Sequence, residues 1–159
     1  MTKRELLWAP WRLKYIRHKK GKKCIFCKAV KSSKADYLIF RMKHAAAMLN
    51  IYPYNNGHIM VFPLRHVNRL DKLSKSESGQ LFEAVNRAIK LLDKVLKPDG
   101  YNIGINILGA SGAGIPAHIH VHIVPRWKGD TNFMPIIAGT KVISQSLSEL
   151  HKLLKDENG

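Results

Sequence analysis

Three histidines in this chain alternate with single apolar residues between two prolines. The run reads His118, Ile119, His120, Val121, His122 and Ile123, with Pro116 before it and Pro125 after it. An alternation with a period of two fits an extended strand, on which the three imidazoles share one face at intervals of about 6 to 7 Å. Because proline cannot donate to a sheet ladder, we predict a short strand bracketed by the two prolines.

The chemistry of imidazole points beyond a purely structural strand. Each ring carries nitrogens that need hydrogen-bond partners and titrates close to neutral pH, so a row of three buried imidazoles serves no packing purpose. A single His-x-His is more often part of a solvent-facing strand. Three histidines in register instead indicate a reaction centre, and we predict that this strand lies in an active site.

Length and composition indicate one domain over residues 1–159. The chain has 45% hydrophobic and 24% charged residues and is long enough to bury a continuous core without cross-links. Charges and a proline interrupt the N-terminal segment, and no apolar run has the length needed to cross a bilayer. We expect a cytoplasmic protein that does not enter a membrane.

The charge is strongly and unevenly positive. The net charge is +16, from 27 basic and 11 acidic side chains, and residues 1–34 form a basic N-terminal arm with twelve lysines or arginines against one acid, Glu5. Such an arm can bind nucleic acid non-specifically, concentrate a small polyanion, or serve solubility alone. Its aromatic residues Trp8, Trp11 and Tyr15 could stack on a base, but we favour a place in a core or subunit seam.

The only two cysteines, Cys24 and Cys27, are separated by two residues. In a cytosolic chain this spacing indicates a metal site or a redox motif more than a structural disulfide. No βαβ pattern surrounds the pair, which disfavours a thioredoxin-like dithiol. A metal site is the better interpretation, and it requires further ligands from elsewhere in the chain.

Periodicity in the rest of the chain predicts an α+β fold. Ser74 to Lys97 has the pattern of a long helix that begins with a capping box of Ser74 and Glu77. The other predicted elements are strands over residues 37–40, 45–51, 58–63 and 101–108 and a second, shorter helix over residues 142–155. With the histidine strand they make an antiparallel sheet of about five strands, covered by one long helix, with a shorter C-terminal helix.

A glycine-rich turn, GASGAG from Gly109 to Gly114, precedes the histidine strand. Backbone amides that no side chain obstructs can form a cradle for phosphate oxygens. Alone, such a turn usually marks a tight hairpin, and its position directly before three histidines is what favours phosphate binding. We expect Gly112, Ala113 and Gly114 to contact the substrate.

Several longer motifs resemble those of a known protein family. They are LWAPWRLKYI near the start, CIFC at 24–27, NIYPYNNGHIMVFPLRHV at 50–67 and GYNIGINILGASGAGIPAHIHVHIVPRWKGDTNF at 100–133, which contains HIHVHIV. The sequence resembles the histidine-triad superfamily, whose signature is His-x-His-x-His followed by two apolar residues. Within it, the chain is most similar to the bacterial diadenosine tetraphosphate phosphorylase-like branch. The resemblance is nearly full length and implies the α+β fold predicted above.

The resemblance implies roles for individual side chains. His120 would be the nucleophile that forms a nucleotidyl-histidine intermediate, and His122 would contact the phosphate. Asn50 would hold the ribose hydroxyls, because an amide both donates and accepts. Asn106 would lie near the α-phosphate or the attacking histidine. His58 would lie near the catalytic strand, and we assign it no catalytic role.

The resemblance also implies a metal site. Cys24, Cys27, His66 and His118 would hold one structural zinc ion, since two thiolates and two imidazoles suit tetrahedral zinc. This site would tie the basic arm to the sheet beside the catalytic strand.

The implied activity is nucleotidyl transfer, most simply phosphorolysis of diadenosine tetraphosphate or a related dinucleoside polyphosphate with inorganic phosphate as acceptor. With water as acceptor the enzyme would be a hydrolase of the same substrates. A zinc-containing nucleic-acid-binding module is an alternative from another class, and the intact triad argues against it. Superfamily members usually form homodimers or larger homo-oligomers, and we expect the same here.

The chain departs from the family pattern just before the triad. Many superfamily members carry a polar Gln or Ser where this chain has Gly114, Ile115 and Pro116. Protonation of the leaving group would then fall to Ser111 or to a backbone amide. Lys128, beyond the triad, is a candidate contact for the acceptor phosphate.

Overall fold

The structure is a computed structural model that describes residues 24–32, 37–130 and 143–159. Its helices are α1 (Ile25–Lys31), α2 (Lys75–Leu96) and α3 (Leu147–Asn158), with a 3₁₀ turn at Leu70–Lys72, and its strands are β1 (Leu38–Arg41), β2 (Ala45–Leu49), β3 (Ile59–Pro63), β4 (Gly100–Ile105) and β5 (Val121–Arg126). The predicted α+β architecture is confirmed. Most of the basic arm, including Trp8, Trp11 and Tyr15, lies outside the described residues.

One antiparallel sheet contains these five strands in the order β1-β2-β3-β5-β4. β2 pairs with β3 over its whole length, from Ala45 opposite Pro63 to Leu49 opposite Ile59. β4 pairs with β5 and forms one edge of the sheet. β5 therefore lies in the interior, where a neighbour on each side fixes the directions of its side chains.

The two faces of the sheet are covered by different helices. Val121 and Ile123 of β5 belong to the core that packs between the sheet and helices α2 and α3. His122 points to the opposite face, because successive residues of a strand alternate, and it stands opposite Met60 of β3. Met60 belongs to a second cluster, which includes Phe26 of α1. His122 thus shares a face of the sheet with α1.

The long helix begins and ends where the sequence predicts. The hydroxyl of Ser74 accepts the backbone N–H of Glu77 at 3.3 Å, and the Glu77 carboxylate accepts the N–H of Ser74 at 2.8 Å, which completes the capping box. At the other end, Lys97 adopts a left-handed φ of 46° and Pro98 follows it. Among the described residues, no helix combines the length and apolar character needed to cross a bilayer.

The predicted start of the C-terminal helix at residue 142 is wrong. α3 begins at Leu147, because Ser146 accepts the backbone N–H of Glu149 at 3.2 Å in a second capping box. The apolar pattern upstream of Ser146 suggested a longer helix, but a satisfied cap determines where helical hydrogen bonding starts. The helix also continues to Asn158, past the predicted end at residue 155.

The histidine strand starts later than predicted. β5 begins at Val121, so His118 and His120 precede the strand. The backbone N–H of Ile119 donates to the carbonyl of Val67 at 2.7 Å, in the segment that follows β3. This segment is therefore held by a loop partner rather than by the sheet ladder.

The prediction that Pro125 ends the strand is wrong, because Pro125 lies inside β5. The pairing of β3 with β5 reaches only to Ile123, so Pro125 stands where β4 alone flanks β5. An edge position of this kind tolerates a residue without an N–H.

The strand β4 ends at Ile105 rather than at Leu108, whose φ of 65° is incompatible with a strand. β2 likewise ends earlier than predicted, at position 49.

Candidate active site and metal centre

The three triad histidines are buried, but they divide into two groups. Their exposed fractions are 0% for His118, 2% for His120 and 8% for His122. The rings of His120 and His122 make an edge-on contact with 4.7 Å between centroids. The ring of His118 instead contacts that of His66 at 4.9 Å. His120 and His122 therefore form a pair, and His118 joins a second cluster.

The carbonyl of His118 fixes the tautomer of His120. Its oxygen lies 2.9 Å from Nδ1 of His120. A carbonyl oxygen can only accept, so Nδ1 carries the proton and Nε2 keeps its lone pair. Burial lowers the pKa of His120 below its ordinary value, which keeps the ring neutral at pH 7. A neutral imidazole with a free Nε2 has the protonation state that nucleophilic attack requires.

A chain of hydrogen bonds through His58 sets the opposite tautomer in His122. The backbone N–H of Tyr54 donates to Nδ1 of His58 at 3.0 Å, so the proton of His58 is on Nε2. That Nε2 lies 2.9 Å from Nδ1 of His122 and donates to it. The proton of His122 is therefore on its own Nε2, a buried atom without a hydrogen-bond partner in the described part of the chain.

The neutral form of His122 is favoured by its surroundings. Burial, with a smaller contribution from neighbouring His120, lowers the pKa of His122 to about 4. At neutral pH the ring thus offers a single N–H donor, next to the free lone pair of His120. The pair combines a nucleophile with a hydrogen-bond donor suited to an anionic oxygen.

The role of His58 as the hydrogen-bond donor to His122 was not predicted from the sequence. The signal lay in the Gly-His step before β3. Gly57 has a φ of +74°, and a Cβ there would lie 2.5 Å from Cδ1 of Leu96 and 3.0 Å from Cγ of Pro125. The positive φ favours glycine, and an added Cβ would force the side chain of Leu96 to move. This turn places His58 next to His122.

The two asparagines predicted to bind substrate lie beside these histidines. Asn50 is buried, its Nδ2 lies 3.3 Å from Nδ1 of His58, and its Oδ1 accepts the N–H of Tyr52 at 2.9 Å. Asn106 directly follows Ile105, whose partner across the ladder is the residue after His120. Their contacts with ribose and phosphate stay predictions.

The glycine-rich turn is closed by its own hydrogen bonds. The N–H of Gly112, where φ is +83°, donates to the carbonyl of Gly109 at 3.1 Å. The hydroxyl of Ser111 donates to the carbonyl of Leu108 at 2.9 Å, so its proton is already engaged. Ala113, within the same turn, is buried. Phosphate contacts by Gly112, Ala113 and Gly114 stay predictions.

Lys128 lies far along the chain from the histidine pair. Seven residues, 121–127, separate it from His120, and eight residue steps span about 26 Å along an extended chain. Its backbone N–H donates to Asp99 at 2.7 Å. This position does not favour the predicted role of Lys128 at the acceptor phosphate.

The second cluster contains the four residues predicted to bind metal. One ligand atom from each of Cys24, Cys27, His66 and His118 lies within 4.8 Å of the others. Nδ1 of His118 is 3.3 Å from Sγ of Cys24 and 3.7 Å from Sγ of Cys27, and Nδ1 of His66 is 3.2 Å from Sγ of Cys27. Typical Zn–S and Zn–N bond lengths give a tetrahedron with edges of roughly 3.3 to 3.8 Å. The four residues could hold a metal ion, and their chemistry and spacing fit zinc.

The ring of His118 is oriented for this cluster. Its Nε2–H donates to the carbonyl of Pro63 at 2.8 Å, which leaves the lone pair of Nδ1 directed at the two sulfurs. Burial lowers the pKa of His118 to about 4, so the ring is neutral, as a metal ligand must be. Burial and the nearby Cys24 raise the pKa of the Cys27 thiol. A bound cation would favour the thiolate form instead.

An ion pair anchors the loop that carries His66. Arg65 makes two hydrogen bonds to the Glu77 carboxylate, at 2.8 and 2.7 Å, and a third to the carbonyl of Lys72. The guanidinium of Arg65 and the backbone N–H of Ser74 lower the pKa of Glu77 to about 2. Glu77 thus caps α2 and holds the residue next to His66.

A five-stranded antiparallel sheet with a His-x-His-x-His segment that leads into its inner strand β5 defines a protein of the histidine-triad class. A family model described as the HIT domain matches residues 31–129. The chain belongs to the HIT family.

The relatives include proteins with named activities on nucleotides. The chain is 38% identical to a protein named AP-4-A phosphorylase from Mycobacterium tuberculosis, over 95% of this chain and 83% of the relative. It is 40% identical to the asymmetrical bis(5'-nucleosyl)-tetraphosphatase of Schizosaccharomyces pombe, over 58% of this chain and 50% of that protein. Among solved structures, a Zn-bound histidine triad family protein from Mycobacterium smegmatis superposes with a TM-score of 0.68 at 25% identity, covering 86% of this chain and 93% of the other.

Proposed function

We propose that this protein is a nucleotidyltransferase that splits dinucleoside polyphosphates, such as diadenosine tetraphosphate, with inorganic phosphate as acceptor. The observation that carries the proposal is the pair of opposite tautomers, with a free Nε2 on His120 and an N–H on Nε2 of His122. The similarity to AP-4-A phosphorylase over 95% of the chain supports the substrate and the acceptor.

In the first step, Nε2 of His120 attacks the α-phosphorus of one nucleoside. A P–N bond forms, and the bond from phosphorus to the bridging oxygen breaks. The rest of the substrate leaves as a nucleoside polyphosphate, with the electron pair on that oxygen. The N–H of His122 donates to a non-bridging oxygen of the phosphorus centre as charge develops there.

In the second step, an oxygen of inorganic phosphate attacks the same phosphorus. The P–N bond breaks, its electron pair returns to Nε2, and a nucleoside diphosphate leaves. Diadenosine tetraphosphate would give one adenosine triphosphate and one adenosine diphosphate. Water in place of phosphate would give a nucleoside monophosphate, and the similarity to the yeast tetraphosphatase keeps hydrolysis as the second candidate.

The acceptor is tested by turnover of diadenosine tetraphosphate with and without inorganic phosphate, with every nucleotide product identified. Phosphorolysis predicts faster turnover with phosphate and adenosine diphosphate as a product. Turnover unchanged by phosphate, with adenosine monophosphate in place of the diphosphate, would make the protein a hydrolase.

We also propose that Cys24, Cys27, His66 and His118 hold a structural zinc ion. With four protein ligands no coordination position is left for substrate, so the ion would supply a cross-link rather than a Lewis acid. The cross-link would join α1, the loop after β3 and the start of the triad. Reduced thiols of this kind fit the proposed cytoplasmic location.

We further propose that two copies of the chain pair through β4. This strand is an edge of the described sheet, and Ile103 on it is 49% exposed. An exposed edge with an apolar side chain is a template for pairing with another strand. A second copy would cover it symmetrically.

The basic arm would attract polyanions, nucleic acid included, without sequence preference.

A further inference from the structure

Phe26 lies between the two cysteines of the metal cluster in sequence and contacts the proposed nucleophile in space. Its side chain is fully buried. The centroid of its ring is 4.9 Å from that of His120, at an interplanar angle of 48°, and 5.2 Å from that of His118. One aromatic ring therefore touches both the proposed metal ligand and the proposed nucleophile.

The His120 ring needs support beyond its hydrogen bond. Attack through Nε2 requires Nδ1 to stay on the carbonyl of His118, and rotation of the ring about its bond to Cβ would break this contact. In the described part of the chain, the aromatic rings that contact His120 are those of His122 and Phe26. Packing by Phe26 opposes the rotation, because a close-packed ring cannot turn without displacing its neighbours.

Packing on the sheet holds Phe26 in place, in a cluster with Phe62 and Met60, and a metal ion at the metal cluster would add a second constraint. Helix α1 has seven residues, and Cys24 at its N-cap makes no capping hydrogen bond through its side chain. A helix this short does not persist on its own. Ligation of Cys24 and Cys27 would fix α1 on the sheet and Phe26 against His120.

We propose that Phe26 is a positioning residue for His120 and that it links occupancy of the metal cluster to the orientation of the nucleophile. The kinetic consequence rests on the proposed function, whereas the orientation itself does not. Replacing the ring with a smaller, non-planar side chain should release His120 without removing a metal ligand or a substrate contact.

Phe62 provides a matched control. It is also fully buried, stacks on Phe26 at 4.4 Å and contacts the ring of His118 at 5.9 Å. Unlike Phe26, it makes no ring contact with His120 among the described residues. Phe26→Leu and Phe62→Leu therefore remove similar volumes from one cluster, and only the first removes the contact with His120.

The test combines nitrogen NMR of the His120 side chain, metal content, melting temperature and steady-state kinetics on both variants. We expect Phe26→Leu to retain bound metal and to lower kcat by roughly 10- to 100-fold with KM within about threefold, the cost of misorienting a reacting group. The His120 signals should change from one Nδ1-protonated tautomer to a mixture. Phe62→Leu should keep the wild-type tautomer and a kcat within about threefold of wild type, at a comparable loss of melting temperature.

The proposal is overturned if Phe26→Leu keeps both the single tautomer and the wild-type kcat, or if both variants change the two readouts equally. The NMR arm needs no substrate, so it decides the role of Phe26 even if diadenosine tetraphosphate is not turned over. If Phe26→Leu does not fold, Phe26→Met serves instead, because its flexible side chain fills the space without a ring.

Discussion

The Nδ1 nitrogen of His120 lies 2.9 Å from the carbonyl oxygen of His118. His118 thus has two roles. Its ring faces the two cysteine sulfurs, and its backbone carbonyl orients the ring of His120. A change in the metal cluster would reach the nucleophile through the backbone of His118 as well as through the ring of Phe26. The candidate metal cluster and the candidate active site therefore share His118 and form one structural unit.

Replacement of His58 should lower activity indirectly, because His58 sets the protonation of His122. Loss of the imidazole in His58→Ala removes the donor that holds the proton of His122 on Nε2. We expect kcat to fall by roughly 10- to 100-fold. This is less than the loss expected when the donor itself is removed, because the N–H of His122 would still be present in some of the molecules. His58→Gln should lose less, because an amide N–H can still donate to Nδ1. His151→Ala is the control, since that ring bonds the carbonyl of Leu38 away from the site. Equal activity of wild type and His58→Ala would refute this role.

The pKa of His122 should be measurable as an effect of pH on stability. Its pKa is lowered to about 4 in the folded protein by burial, from an ordinary value of 6.5. Between these values the unfolded chain binds a proton that the folded protein does not, so the free energy of unfolding falls as pH drops from 6.5 to 4. The slope for this one group is at most about 1.4 kcal/mol per pH unit.

Denaturant unfolding of wild type and His122→Gln across this range isolates the contribution, since other groups act in both proteins. The difference in unfolding free energy between the two should shrink toward low pH and level off below about pH 4. A constant difference from pH 7 to pH 4, or an NMR midpoint for His122 near 6.5, would contradict the assignment.

The metal cluster should bind about one zinc ion per chain. Cys24→Ser or His66→Ala should lose the ion and several kcal/mol of stability, because binding to a site formed only on folding stabilises the folded state. For a chain of this length that corresponds to a drop of roughly 10 °C or more in Tm. Elemental analysis and thermal melting test this, with His44→Ala as a histidine control outside the cluster. A metal-free wild type as stable as the variants would disprove it.

Two glycines should respond in opposite directions to alanine. Gly57→Ala places a Cβ at a φ of +74° and 2.5 Å from Leu96, so we expect a loss of about 2 kcal/mol or more. Gly79 in α2 has nothing within 4 Å of an added Cβ, and Gly79→Ala should stabilise by about 0.5 to 1 kcal/mol. Chemical denaturation of both variants checks this. Equal effects would show that the turn before His58 is not constrained.

The parts of the fold that local chemistry determines could be predicted from the sequence. The capping box of Ser74 and Glu77 fixed the start of α2, and the alternation around His122 gave the correct face of β5. The strand boundary before Val121 could not be predicted, because it depends on the bond from Ile119 to Val67, a contact between distant segments.

The site was predictable to a similar extent. Cys24 and His118 are 94 positions apart, so only the family resemblance, and no local pattern, could join them. The contribution of His58 depends on the direction of one hydrogen bond, from the N–H of Tyr54 to Nδ1. The Gly-His step marks the turn before His58, but the direction of this hydrogen bond has no signature in residue types or spacing, and it required the structure.

The most direct test of the central claim is the mass of the intact protein after brief mixing with diadenosine tetraphosphate in the absence of phosphate. The reaction should be stopped in base, since a P–N bond is labile in acid. We predict a wild-type mass increased by one adenylyl group, located on His120, which disappears with release of adenosine diphosphate when phosphate is added. His120→Ala should bind nucleotide but show neither the adduct nor turnover. A wild type that turns over without any adduct, or a His120→Ala variant that remains active, would contradict the account.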